Sequence, residues 1–182
     1  MIINRAWAMP NARTFDIKPI RELIDKYMVG GVVIDPFANN SKLASITNDL
    51  DPQYDTDYHM DALDFLKQFD TNGVDMVLYD PPYSPRQVSE VYRKLGHSVN
   101  MQTTQANYWS DQKKEISRIV KPGGIVMTFG WNSGGIGKTN GFVIEEILLV
   151  AHGGWHNDTI VVVEFKDKKR IINKNDDHLC YW

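Results

Sequence analysis

Apolar and polar positions along this chain switch between helical and strand periods, and the switches mark out an α/β order. Helical spacing runs through Ile17–Met28 (IKPIRELIDKYM), with Asp16 placed to cap it, Pro19 in its first turn and Gly30-Gly31 to end it. Val32–Phe37 (VVIDPF) is an apolar run that meets an acid near its end, the pattern of a buried parallel strand. A second strand is expected within Leu43–Leu50 and a short third at His59–Ala62, followed by a helical turn or two over Ala62–Phe69. Asp75–Asp80 reads as another buried strand, and Pro85–Leu95 and Ser110–Val120 as helices, the latter capped by Ser110. Lys121-Pro122-Gly123-Gly124 predicts a tight turn into a strand over Ile125–Gly130. The apolar runs Phe142–His152 and Thr159–Lys166, joined through a Gly-Gly loop, predict an antiparallel hairpin. No repeat or low-complexity linker interrupts this order. Residues 1–182 are therefore expected to form one domain on a mostly parallel, seven-stranded sheet.

Candidate chemistry concentrates at one point. Asp80-Pro81-Pro82-Tyr83 directly follows the apolar stretch Met76–Tyr79, at the strand end where open α/β sheets place their ligands. An exocyclic amine on a nucleobase is a poor nucleophile, because its lone pair is delocalised into the ring. Acceptors aimed at its N–H groups favour a tetrahedral nitrogen that can attack. Asp80 can accept one hydrogen and the Pro81 carbonyl another, while Pro81 and Pro82 fix the backbone in an extended geometry. Tyr83 offers a face for an extruded base. The plainer reading is a strand that ends in a Pro-Pro turn.

Composition bounds the rest. The hydrophobic share of 42% and charged share of 24% are those of a globular protein. No apolar run approaches the ~20 residues of a membrane-spanning helix. Cys180 is the only cysteine, and the five histidines lack ligand spacing. A cytoplasmic chain without disulfide or metal is expected. The net charge of −3 is not that of a free-standing duplex binder. Much of the acid lies in Asp49–Asp61, however, and the basic groups cluster in two places. Residues 84–109 form a candidate substrate insert with Arg86, Arg93, Lys94, His97, Gln102, Gln105, Asn107, Tyr108 and Trp109. Lys166–Lys174, which includes Lys168, Lys169 and Arg170, leads into a tail over 167–182. Cations there could hold phosphates, amides could read base edges and aromatic rings could wedge or stack. The alternatives are an amphipathic helix with a solvated loop, and a solvated tail.

The order of these motifs resembles the S-adenosylmethionine-dependent N6-adenine DNA methyltransferases, over roughly residues 14–166 and in a small form of the kind found on phages. The resemblance rests on Lys18-Pro19, Asp35-Pro36-Phe37, Asp49-Leu50-Asp51-Pro52, Asp61-Ala62-Leu63, DPPY itself and Lys121–Gly124. It implies a Rossmann-like fold, S-adenosylmethionine as cofactor and DNA as partner. It also implies that Lys18, Asp35, Pro36 and Phe37 wall the cofactor, that Asp49 (or Asp51) holds its ribose, and that Asp61 takes its adenine amino group. Asp80, Pro81, Pro82 and Tyr83 would be catalytic, with Asp80 also bordering the cofactor. Aspartate at the motif's first position favours adenine N6 over cytosine N4, where relatives more often carry serine.

The chain departs from that pattern in two ways. Ala38-Asn39-Asn40-Ser41-Lys42 replaces the family's glycine-rich loop and following helix. Asn39 or Asn40 can supply the positive φ, which would keep a reduced backbone N–H nest for the cofactor carboxylate, with Asn39 carried over as a cofactor contact. No insert is long enough for the target-recognition domain that such enzymes usually carry. The rival readings are a ribosomal RNA guanine-N2 methyltransferase, whose motif generally ends in phenylalanine, and a non-catalytic nucleic-acid-binding subunit. Gly134-Gly135-Ile136-Gly137-Lys138-Thr139 is similar to a phosphate-binding loop but has Asn132 where glycine is required, and it precedes a strand. It is expected to be a cleft-rim loop, with Trp131 and Asn132 bordering the substrate. His152 and His156 are expected to belong to the hairpin loop.

Overall fold

Strand β4 (Val74–Tyr79) is apolar on both faces, and this places it inside the sheet: Met76 and Leu78 pack to one side, Val77 and Tyr79 to the other, all buried. The computed structural model describes residues 1–96, 107–154 and 156–168. Around β4 stand β1 (Ile2–Trp7), β2 (Val33–Asp35), β3 (Ile46–Thr47), β5 (Val120–Gly130), β6 (Phe142–Ala151) and β7 (Thr159–Lys166), in the order β1-β6-β7-β5-β4-β2-β3. Only β7 runs against its neighbours; the β1–β6, β2–β3, β2–β4 and β4–β5 pairs are parallel. The C-terminal ends of β1, β2, β4, β5 and β6 therefore share one rim, and the DPPY run begins there.

Two apolar layers clamp the sheet. Helix α1 (Lys18–Tyr27) presents Ile20, Leu23 and Ile24 to one face. Helix α2 (Ala62–Leu66) packs with α4 (Asn107–Ile119) on the other, through Phe65, Leu66, Ile116 and Ile119. Helix α3 (Pro85–Lys94) follows the DPPY run, with Ser84 Oγ accepting from the Gln87 N–H at 3.3 Å. Among the described residues no helix is long and apolar enough to cross a membrane.

The strand number matches the sequence expectation, but the membership differs. His59–Ala62 forms no strand, and the isolated bridge from Tyr58 to Asn48 stops short of it, because Asp61 turns the chain into α2 by capping the Leu63 N–H at 2.9 Å. The seventh strand is instead β1, an edge strand that is exposed along nearly its whole length and so carries no alternation to detect. Asp16 does not cap α1. It lies in a 3-10 turn and pairs with Arg13 at 2.6 Å, and Ile17 occupies the cap position. Helix α4 starts ahead of Ser110. Lys121–Gly124 is looped out of β5 rather than preceding it, since the register with β4 jumps from Val120 to Ile125.

Candidate active site

Asp80 is the first residue beyond β4. Its Oδ1 accepts the Tyr83 hydroxyl at 2.6 Å, and the Thr14 side chain hydrogen-bonds the same pair. Burial pushes the Asp80 carboxyl above the usual carboxylate range, and the bonds from Tyr83 and Thr14 partly offset that push. The Tyr83 phenol is driven well up by burial and by the charge of Asp80. The turn is held from outside: the Tyr83 N–H donates to Gln87 Oε1 at 2.6 Å and Trp109 Nε1–H donates to the Pro82 carbonyl at 3.1 Å. No donor among the described residues reaches the Pro81 carbonyl. The carboxylate of Asp80 and, next along the chain, a Pro81 carbonyl with no donor among the described residues are thus the acceptors of this turn.

Two cavities meet at Asp80. The first, of about 410 Å³, runs from Arg13, Thr14, Phe15 and Arg21 to the loop Phe37–Leu43. The second, of about 180 Å³, is a slot lined by Pro36, Leu50, Met60, Tyr92 and Tyr108 together with Asp49, Asp51 and Asp61. Phe37, Asn39 and Asp80 line both. Asp49 is half-buried and pins the wall between them, accepting from the Asn39 N–H and the Asp51 N–H at 2.9 Å each. Burial raises its pKa, and those two N–H groups counteract. Asp61 accepts from Leu63 N–H and, in a short contact, from the Tyr92 hydroxyl. Lys94 pairs with Asp51 at 3.3 Å. Burial and the charge of Asp61 push the Tyr108 phenol up to about 12.

Asn39 takes φ +49°, the left-handed conformation that its residue type allows. The expected N–H nest does not form, however. The Ala38 and Ser41 N–H groups are spent on the Asn48 and Ala38 carbonyls, and the Asn39 N–H on Asp49. The basic groups beside that loop are side chains instead: Arg13, Arg21 and Lys42.

Asp35 is fully buried, with Oδ1 accepting from the Phe37 N–H at 3.0 Å and Oδ2 unpartnered among the described residues. It lines neither cavity. Burial drives its carboxyl well above the usual range, helped by the charges of Asp80 and Asp49. A raised folded-state pKa contributes stability at low pH that is lost as pH rises through the folded value. Asp35→Asn is therefore expected to flatten the loss of stability as pH rises above the ordinary carboxylate range. Urea midpoints at several pH values measure this; parallel slopes in the two proteins would contradict it.

A third cavity, of about 310 Å³, opens on the far side of Pro81 and Pro82. Tyr83, Trp109, Trp131, Lys113 and Asn132 line it, and the buried Thr128 Oγ1 in its wall has no partner among the described residues. Tyr83 and Trp131 meet edge-on at 5.3 Å. Lys113 is pulled below the usual lysine range by burial, against the opposing charge of Glu164.

The structure scatters the expected nucleic-acid contacts. Trp109 lines the third cavity, whereas Tyr108 and Lys94 belong to the second. Arg86 is exposed and paired with Glu90, and Arg93 is exposed at the end of α3. Lys168 lies beside Gly123 at the opposite rim of the sheet. His97, Gln102, Gln105, Lys169 and Arg170 lie outside the described residues, as does the side chain of Asn107. Lys18 lines neither cavity beside the loop; it is 87% exposed and sits 3.9 Å from Glu22. Thr14, Tyr92 and Lys113 carry no motif and were not legible as site residues. The glycine loop at 134–137 is no phosphate cradle, since its Ile136 and Gly137 N–H groups are taken by the buried Glu164. His152 locks β1 to the hairpin through the Ala8 carbonyl and the Thr159 hydroxyl. No cluster suited to a metal occurs among the described residues.

Solved structures share this architecture. A protein of Haemophilus influenzae described as a methylase superposes with a TM-score of 0.50 at 12% identity, over 82% of this chain and 95% of that one. TrmN from Thermus thermophilus gives 0.53 at 20% identity, over 82% of this chain and 49% of its own. The 1,6-didemethyltoxoflavin-N1-methyltransferase of Burkholderia thailandensis, solved with 1,6-didemethyltoxoflavin and S-adenosylhomocysteine, gives 0.52 at 10%, over 81% and 76%. The fold is the Rossmann-like methyltransferase fold. No family model and no curated protein matches the chain.

Proposed function

We propose that this protein transfers a methyl group from S-adenosylmethionine to the N6 amino group of adenine in DNA. The observation that carries the reading is the acceptor pair at the sheet rim, Asp80 carboxylate and Pro81 carbonyl, between two cavities on one side and an aromatic cavity on the other. The residues fit the cofactor by their chemistry. The second cavity offers apolar walls for a purine, with the carboxylates of Asp49 and Asp61 placed to accept from hydroxyl and amino groups. The first offers Arg13 and Arg21, which a ligand carboxylate would have to draw from Asp16 and Asp25, in place of the missing N–H nest. When bound, the cofactor supplies an electrophilic sulfonium methyl.

The chain's own residues do the rest. Asp80 and the Pro81 carbonyl accept the two amine hydrogens, which directs the nitrogen lone pair toward the methyl; Asp80 can then hold the proton released. The Tyr83 hydroxyl occupies Oδ1 alone of the Asp80 carboxylate, and its ring serves as a stacking face. Trp109 keeps the Pro82 carbonyl occupied, so that the Pro81 carbonyl is the free acceptor.

Asp80 can take up the released proton only when ionised, so activity falls as pH drops through its raised pKa. Tyr83→Phe removes a bond that lowers that pKa and is expected to move the acid limb of kcat to higher pH. An unmoved limb would contradict the role of Asp80. The reading as a whole is tested by incubating the protein with isotope-labelled S-adenosylmethionine and unmethylated DNA or ribosomal RNA, then counting label in each polymer. Label in DNA is expected; label in RNA alone favours the guanine-N2 reading.

A further inference from the structure

The edge strand β1 extends the rim well beyond the acceptor cavity, on the same face of the sheet. Register shows the continuity. Gly130 of β5 pairs with Ile160 of β7, Ile160 with Leu149 of β6, and Leu149 with Arg5 of β1. Trp131 follows Gly130, and its indole lines both the third cavity and an open cavity of about 420 Å³ floored by Leu149 and Ile160. Trp7 closes the row two residues beyond Arg5, its Nε1 3.4 Å from where a Cβ on Gly153 of the β6–β7 turn would stand. Trp131 is 41% and Trp7 65% exposed. Arg5 is exposed and makes no ion pair among the described residues.

We infer that this row is a track for an unpaired polynucleotide strand, leading its bases to the cavity at Tyr83. The inference rests on the acceptor reading above. Aromatic faces interleaved with a free cation are what a single strand requires, because each base has a π-face that a duplex hides in its stack. Three strand spacings separate Trp131 from Trp7, about 14 Å, which is room for a short run of nucleotides. The chain's net charge of −3 and the single free cation on the row suit a strand held by stacking, and do not suit a duplex held by many phosphate contacts. Asp158, the acid in the open cavity, has its Oδ1 occupied by the His152 N–H at 3.1 Å.

The test is binding without cofactor, read by tryptophan fluorescence and by anisotropy of end-labelled strands. The probes are oligodeoxyadenylate, oligoadenylate and the duplex of oligodeoxyadenylate with oligothymidylate. The single strands are expected to bind at least tenfold more tightly than the duplex, and the DNA and RNA arms identify the polymer. Trp7→Ala and the conservative Arg5→Gln are each expected to weaken single-strand binding roughly tenfold. Duplex binding that equals or exceeds single-strand binding overturns the track, as does unchanged affinity in both variants. A dimer by light scattering that Trp7→Ala dissociates also overturns it, since the face would then belong to a second copy. Because no methyl transfer is needed, an inactive protein that still binds the strand supports the track while contradicting the acceptor reading.

Discussion

Replacing Asp80 with alanine is expected to lower methyl transfer ~10³-fold or more while leaving affinity for S-adenosylmethionine within a few fold. The asymmetry follows from position. Asp80 lies where both cofactor-side cavities meet, yet those cavities keep Asp49, Asp61 and the slot walls without it. What the variant loses is the acceptor for the amine hydrogen and for the released proton. It also frees the Tyr83 and Thr14 hydroxyls, which both bond to Asp80. Single-turnover rates together with calorimetric titration separate the two effects. A large loss of affinity with residual turnover would make Asp80 a cofactor ligand instead. Asp80→Asn, which keeps the side-chain shape, distinguishes lost chemistry from a collapsed turn: its melting temperature should match wild type while activity stays low.

The second large effect is expected at Asp49. Asp49→Ala should weaken S-adenosylmethionine binding by about 100-fold, as removing charge-assisted bonds to a ligand and loosening the wall together would do. The same carboxylate fixes the Asn39 and Asp51 N–H groups, so its loss releases the loop shared by both cavities. With cofactor in excess, kcat should stay near wild type, because no acceptor for the amine has been touched. Asp51→Ala separates the two acids. Asp51 is paired with Lys94 and Gln53, which leaves it less of its carboxylate for a ligand, and a smaller loss of affinity is expected. Equal losses in the two variants would place the ribose between both residues.

The fold was legible where burial imposes a pattern. β4, the β6–β7 hairpin and α1 have apolar faces that fix their period, and their boundaries lie within two residues of those read from sequence. β1 was invisible because a solvent-exposed edge strand has no face to encode. The supposed strand at His59–Ala62 failed because Asp61 satisfies a helix N-terminus, a local bond that outweighs a short apolar run.

The site divides similarly. Asp80, Pro81 and Tyr83 could be found because a rigid Pro-Pro turn after a buried strand is a local signal. Tyr92 and Thr14 could not, since they reach Asp61 and Asp80 across the tertiary structure from elements whose own sequences have other reasons to exist. Lys18 illustrates the converse, a residue in a motif position whose side chain points into solvent. Tyr108 and Lys94 read as nucleic-acid contacts because aromatic and basic residues are common to many kinds of site, and only the packing of α3 and α4 assigns them to the slot.

Which atom receives the methyl group decides between the readings. This is tested most directly by digesting DNA from the labelled reaction to nucleosides and identifying the product by mass spectrometry. The expected product is N6-methyldeoxyadenosine, absent when Asp80→Ala replaces the wild-type protein. Label found only as a methylated cytosine or guanine, or label that persists in the Asp80→Ala reaction, would contradict it.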